Sequence, residues 1–186
     1  MALSPRSCGP VPGLEFSHFF PSQNFHQQLI IDRDGQALED LTKAVEIRPR
    51  SAYNRYYRGE IYAKIGQYDR ALNDYQHALS LKPIFTDAYF GMGMLYWQRK
   101  EIPQAITACR KILEIDRHDA RAYSCLGKLL MEQKRDAEAI EIYKKGLGFI
   151  PDNDELWYDL GVIYNETGMY SEAAKAFEKA TELIHK

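Results

Sequence analysis

Residues 52–85, AYNRYYRGEIYAKIGQYDRALNDYQHALSLKPIF, decide the fold, because the chain after them repeats their pattern. Gly59 recurs as Gly93, Gly127 and Gly161, and Ala71 as Ala105, Ala139 and Ala173, with an earlier copy at Ala37. Each step is 34 residues, as from Gly59 to Gly93. A fixed period of this size marks a stacked array of one supersecondary unit, in which apolar surface is buried between neighbours instead of in one central core.

Larger residues keep the same register. Tyr62 is matched by Tyr96, Leu130 and Tyr164, and Arg55 by Tyr89, Tyr123 and Trp157. Spacings of three and four around each glycine put these side chains on one helical face. That predicts a first helix over 52–65, closed by Gly66 in the left-handed conformation. A second helix over 69–81 places Ala71, Tyr75 and Ala78 on one face, and Pro83 stops it. Each unit is then a helical hairpin whose glycine and alanine let two backbones approach closely. The same register predicts that Tyr62, Tyr89, Tyr96, Tyr123 and Tyr164 belong to the core.

At these residues the chain resembles the tetratricopeptide repeat family, with its W-x2-L-G-x2-Y, A-x3-F and P pattern. The last unit carries Trp157, Leu160, Gly161, Tyr164, Ala173 and Phe177, and the third carries Tyr123, Leu126, Gly127, Ala139, Tyr143 and Pro151. The second unit departs at Cys109 and Arg117, and the first at Arg58. The resemblance implies an all-α, right-handed α-solenoid of antiparallel helical hairpins over roughly residues 34–186. It also implies a non-enzymatic protein-interaction module, a scaffold or adaptor that binds a peptide or helix in its concave groove.

The units expected are 52–85, 86–119, 120–153 and 154–186, the last without a capping helix. Residues 1–21, with four prolines and two glycines, predict a disordered tail. Residues 22–51 predict a degenerate or half repeat: a short helix over 22–31 with Ser22 as its N-cap, then a second over 36–47. There residues 14–31 either cap the array, or the repeat is truncated and the chain is a shortened form of a larger repeat protein acting as adaptor or competitor. Both ends of the array are expected to be open, so self-association is a further alternative.

A net charge of −2 and a pI near 6.2 argue against a nucleic-acid reader, which needs a basic surface. No apolar run is long enough to span a membrane, and no secretory signal pattern is present. Cys8, Cys109 and Cys125 lack paired spacing, and the latter two read as small apolar helix residues. A cytoplasmic, reducing compartment is the default, with the nucleus as the alternative. The five histidines share no face with cysteines or carboxylates at ligand spacing. No catalytic residue, cofactor or metal site is therefore expected.

The resemblance carries the binding surface onto the concave-groove positions of each first helix. The candidates are Tyr53, Tyr56 and Tyr57 in the first unit, Phe90, Met94 and Trp97 in the second, and Arg121 and Lys128 in the third, where they make a small basic spot. Family members that hold an acidic chaperone C-terminal tail use lysines and asparagines where this chain has Tyr56, Glu60, Phe90, Gly91 and Met94, and only Arg121 agrees. The expected partner is instead a protein or peptide with apolar anchors, since Tyr and Trp commonly act as binding hot spots.

Overall fold

The computed structural model describes residues 22–185, with side chains from Arg33 onward. The described residues form nine α-helices and no strand: α1 (Ser22–Ile47), α2 (Ala52–Lys64), α3 (Tyr68–Leu81), α4 (Thr86–Gln98), α5 (Ile102–Ile115), α6 (Ala120–Glu132), α7 (Asp136–Phe149), α8 (Asp154–Glu166) and α9 (Tyr170–Ile184). From Ala52 on they pack as successive hairpins, α2 on α3, α4 on α5, α6 on α7 and α8 on α9. In addition α2 touches α4 and α6 touches α8, whereas each second helix packs mainly on the first helices beside it. The first helices thus form the tighter, inner face of an α-solenoid. The second helices fan out around them.

The hairpin turns repeat as regularly as the glycines. Gly66 and Gly168 have φ of 78°, and at the same register Lys100 and Lys134 have φ of 62° and 60°. At each turn the next residue's N–H reaches back to the first helix, from Gln67, Glu101, Arg135 and Met169 to the carbonyls of Tyr62, Tyr96, Leu130 and Tyr164. Two lysines hold a conformation that costs about 1–2 kcal/mol for a residue with a Cβ. α5 ends where the family has proline but this chain has Arg117. There Asp116 supplies the stop, its Oδ1 accepting from the His118 N–H at 2.8 Å.

Close packing at the glycine ladder is carried by aromatic side chains of the second helices. A Cβ on Gly59 would lie 2.8 Å from Tyr75, one on Gly127 2.3 Å from Tyr143, and one on Gly161 2.6 Å from Phe177. In the second hairpin the partner is Cys109, and a Cβ on Gly93 would meet it at an ordinary 3.5 Å. Cys109 and Cys125 are buried as expected but not independent: α5 and α6 bring them together as a disulfide, with Cα atoms 6.6 Å apart. A separation of 16 residues carries the chain from one second helix to the next first helix, which linear spacing does not reveal.

Two expectations change. Residues 22–47 form one helix, not two, and nothing lies within 4 Å of where a Gly35 Cβ would be, so no packing there forces a turn. The C-terminal part of α1 is fastened to α2: Asn54 Nδ2 donates to the Ala44 carbonyl at 3.0 Å, and Lys64 pairs with buried Asp34 at 2.6 Å. The expected tail over 1–21 lies outside the described residues. Of the five core tyrosines, Tyr123 and Tyr164 are buried, but Tyr62, Tyr89 and Tyr96 are only half-buried. Arg58, the departure in the first unit, and Arg55 both turn to Asp74, which Arg58 holds with two bonds of 2.7 Å.

Candidate functional site

The inner face begins with an aromatic cluster. The Tyr56 ring lies 4.9 Å from Phe85, 5.2 Å from Tyr57 and 5.9 Å from Tyr75, and Tyr53 lies 5.0 Å from Phe85. Lys82 clamps the edge, its Nζ 4.5 Å above the Tyr53 ring and donating to the Tyr53 hydroxyl at 2.6 Å. Tyr53 therefore packs forward onto Phe85. Burial, reinforced by the Glu60 carboxylate, pushes the Tyr56 hydroxyl up to about 12. Tyr75 passes between Gly59 and Gly91 and donates to Glu60, and its own hydroxyl is raised further, first by burial. Within this cluster Tyr53 and Tyr57 remain about half exposed, at 50% and 54%.

The next candidates are drawn into contacts between hairpins. The Arg121 guanidinium stacks 5.2 Å over the half-buried Phe90 ring while bonding Asp119 at 2.7 Å and Asp87 at 2.9 Å. The hydrogen bond to Asp119 comes first among the causes that raise its pKa. Lys128 pairs with Asp159 at 3.0 Å, and the Ser124 hydroxyl donates to that same buried carboxylate at 2.6 Å. The expected basic spot is thus neutralised, because each cation has a carboxylate one step along the array. The Trp97 indole N–H donates to Glu132, which also receives Lys100 at 2.6 Å. Lys100 leads in holding the Glu132 carboxyl below its usual range. Met94, between Phe90 and Trp97 on α4, is free of these ties and 41% exposed.

The structure therefore groups Tyr53, Tyr56 and Tyr57, pairs Phe90 with Arg121, ties Trp97 to Glu132, and sets Lys128 apart against Asp159. Phe85, Lys82 and Asp119 were not anticipated. A signal for the first hairpin did exist: Gly91 stands where the register elsewhere places Tyr57, Cys125 and Asp159, and its missing side chain is the space Tyr75 occupies, 2.8 Å from where a Cβ would be. Among the described residues no group of three His, Cys, Asp or Glu side chains could hold a metal, and no helix is long and apolar enough to cross a membrane.

Family models describing tetratricopeptide repeats match residues 59–100, 86–119 and 130–186. The chain belongs to the tetratricopeptide repeat family. Among solved structures these repeats are similar to a crystal structure of MamA, at 23% identity over 86% of this chain and 93% of that one, with a TM-score of 0.71. They are similar also to MamA 41-end from Desulfovibrio magneticus RS-1, at 24% identity over 88% and 93%, with a TM-score of 0.69. That likeness is one of fold. No match is found among curated proteins. A tetratricopeptide repeat array of this kind is a protein–protein interaction module.

Proposed function

We propose that the chain captures a segment of another protein, extended or helical, on the N-terminal half of its inner face, and acts there as a non-enzymatic scaffold or adaptor. The observation that carries this reading is the exposure of Tyr53, Tyr57 and Met94 along one run of first helices. Large apolar side chains in that setting favour a partner with apolar anchors. Tyr56 and Phe90 support the surface from beneath, and Trp97 and Arg121 frame it while engaged with Glu132, Asp87 and Asp119. Lys128, committed to Asp159, is a framing residue at most. Each hairpin is taken as one repeat over 52–85, 86–119, 120–153 and 154–186, and the Cys109–Cys125 disulfide favours an oxidising compartment over the cytoplasm expected from unpaired cysteines.

Affinity capture with the full chain tests this, comparing wild type with Tyr57→Ala plus Met94→Ala. Both side chains are exposed, so the fold should survive, as circular dichroism would verify. Partners lost only from the variant support the proposal. An unchanged partner set would move binding off this face, and a sedimentation coefficient rising with protein concentration would favour self-association.

A further inference from the structure

The outer side of the solenoid holds a niche in the second hairpin and a larger one in the fourth. Each opens onto a first helix past one second-helix register position, occupied in turn by Asp74, Ala108, Ile142 and Ala176. In the first hairpin the position is Asp74, ion-paired to Arg58, and the niche of about 410 Å³ beside it is polar, lined by Arg58, Asp69, Arg70 and Asn73. In the third, Ile142 occupies the position, and the first-helix residues beneath, Tyr123, Leu126 and Leu130, are buried at 1–2% exposure. The two alanines leave cavities: about 330 Å³ in the second hairpin, beside Tyr89, Met92 and Tyr96, and about 640 Å³ in the fourth.

The larger cavity is a built site. Leu147, Leu160 and Ala176 form its apolar floor, and Trp157 and Tyr164 its aromatic walls. Gly148 widens it, since nothing lies within 4 Å of where its Cβ would be. Its rim carries Lys144, Lys175 and Lys179 with Glu172, and Lys144 also lies 3.9 Å from Glu141 in an exposed pair that leaves its head open to solvent. Lys144 stands 6.0 Å over the Tyr164 ring, and Lys179 pairs with Glu182 at 2.9 Å. An apolar pocket of this size with a cationic rim, on a chain of net charge −2, is complementary to an anionic ligand with an apolar body.

We infer that the niche between α7, α8 and α9 is a second docking site, which takes an acidic protein segment whose bulky apolar side chain enters the pocket while flanking Asp or Glu residues meet Lys144, Lys175 and Lys179. It lies on the opposite side of the array from the aromatic inner face, so the two sites can be occupied together.

Fluorescence anisotropy with the full chain tests it, using a labelled peptide that sets Phe and Leu between Glu residues and a control with Lys for every Glu. The Glu peptide should bind and the Lys peptide should not. Ala176→Ile, which installs the side chain that the third hairpin already holds, should weaken binding about tenfold or more, as should Lys175→Glu with Lys179→Glu. Tyr57→Ala with Met94→Ala should leave it unchanged, which separates this site from the inner face. The lysine pair alters only the rim and answers the question even if Ala176→Ile unfolds. Absence of Glu-peptide binding, binding that survives the lysine substitutions, or loss only in the inner-face variant overturns the inference. So does uptake of anilinonaphthalene sulfonate without uptake of the peptide, which would make this a small-anion site.

Discussion

The second and third hairpins share one register yet differ in how much of their first helix they cover, and two adjacent side chains account for the difference. In α7, Tyr143 lies against Gly127 and Ile142 occupies the outer niche, so Tyr123, Leu126 and Leu130 of α6 are buried. In α5 the same positions are Cys109 and Ala108, and Tyr89, Met92 and Tyr96 of α4 stay half-buried beside a cavity of about 330 Å³. Period sets the backbone. Between these two hairpins, side-chain volume on the second helix decides how much of the first-helix surface is covered.

The contrast should break most visibly at Tyr143. Its side chain is fully buried, so Tyr143→Ala should destabilise by about 3–5 kcal/mol in denaturant titration. The second hairpin has no equivalent aromatic to lose. A smaller, paired test exchanges the niche residues. Ile142→Ala should destabilise by about 2 kcal/mol, because the residue is half-buried, whereas Ala108→Ile should stabilise by about 0.5–2 kcal/mol as it fills a void.

Alkaline titration sharpens the comparison through the buried hydroxyls. Burial raises the pKa of Tyr75 and Tyr143, and that of Tyr56 to about 12, against an ordinary value near 10. Below 10 both the folded and unfolded chains keep these protons, so stability is unaffected by them. Between 10 and 12 the unfolded chain loses protons that the folded chain retains, and stability falls as pH rises. Tyr143→Phe should flatten that fall when unfolding is followed against pH, whereas the second hairpin contributes no such hydroxyl from Cys109. The smallest effect is expected for the bridge between these hairpins. Asp87 and Arg121 are both nearly half exposed, so a double-mutant cycle should return about 0.2–1 kcal/mol of coupling.

Much of this architecture is legible in the residues themselves. The glycine and alanine ladders predict the hairpins, Gly66 its left-handed turn, and Pro83 the end of α3. Lys100 and Lys134 conceal the same turn, because lysine is a poor marker of positive φ. The basic spot expected from Arg121 and Lys128 is neutralised by carboxylates that the sequence of its own unit does not contain. Its partners lie in neighbouring units: Arg121 bonds Asp119 and Asp87 of the unit before, and Lys128 pairs with Asp159 of the unit after. Tyrosine burial escaped for a related reason, since it depends on the volume contributed by a different helix.

The most direct measurement compares the melting midpoints of Gly93→Ala and Gly127→Ala. A Cβ at Gly127 would sit 2.3 Å from the Tyr143 ring, and one at Gly93 3.5 Å from Ala108 and Cys109. Gly127→Ala should therefore destabilise by about 1–3 kcal/mol, while Gly93→Ala should be neutral or stabilise by up to about 1 kcal/mol through its better helix propensity. Equal shifts in the two variants, in either direction, would contradict the claim that these two side-chain positions set how tightly each hairpin is packed.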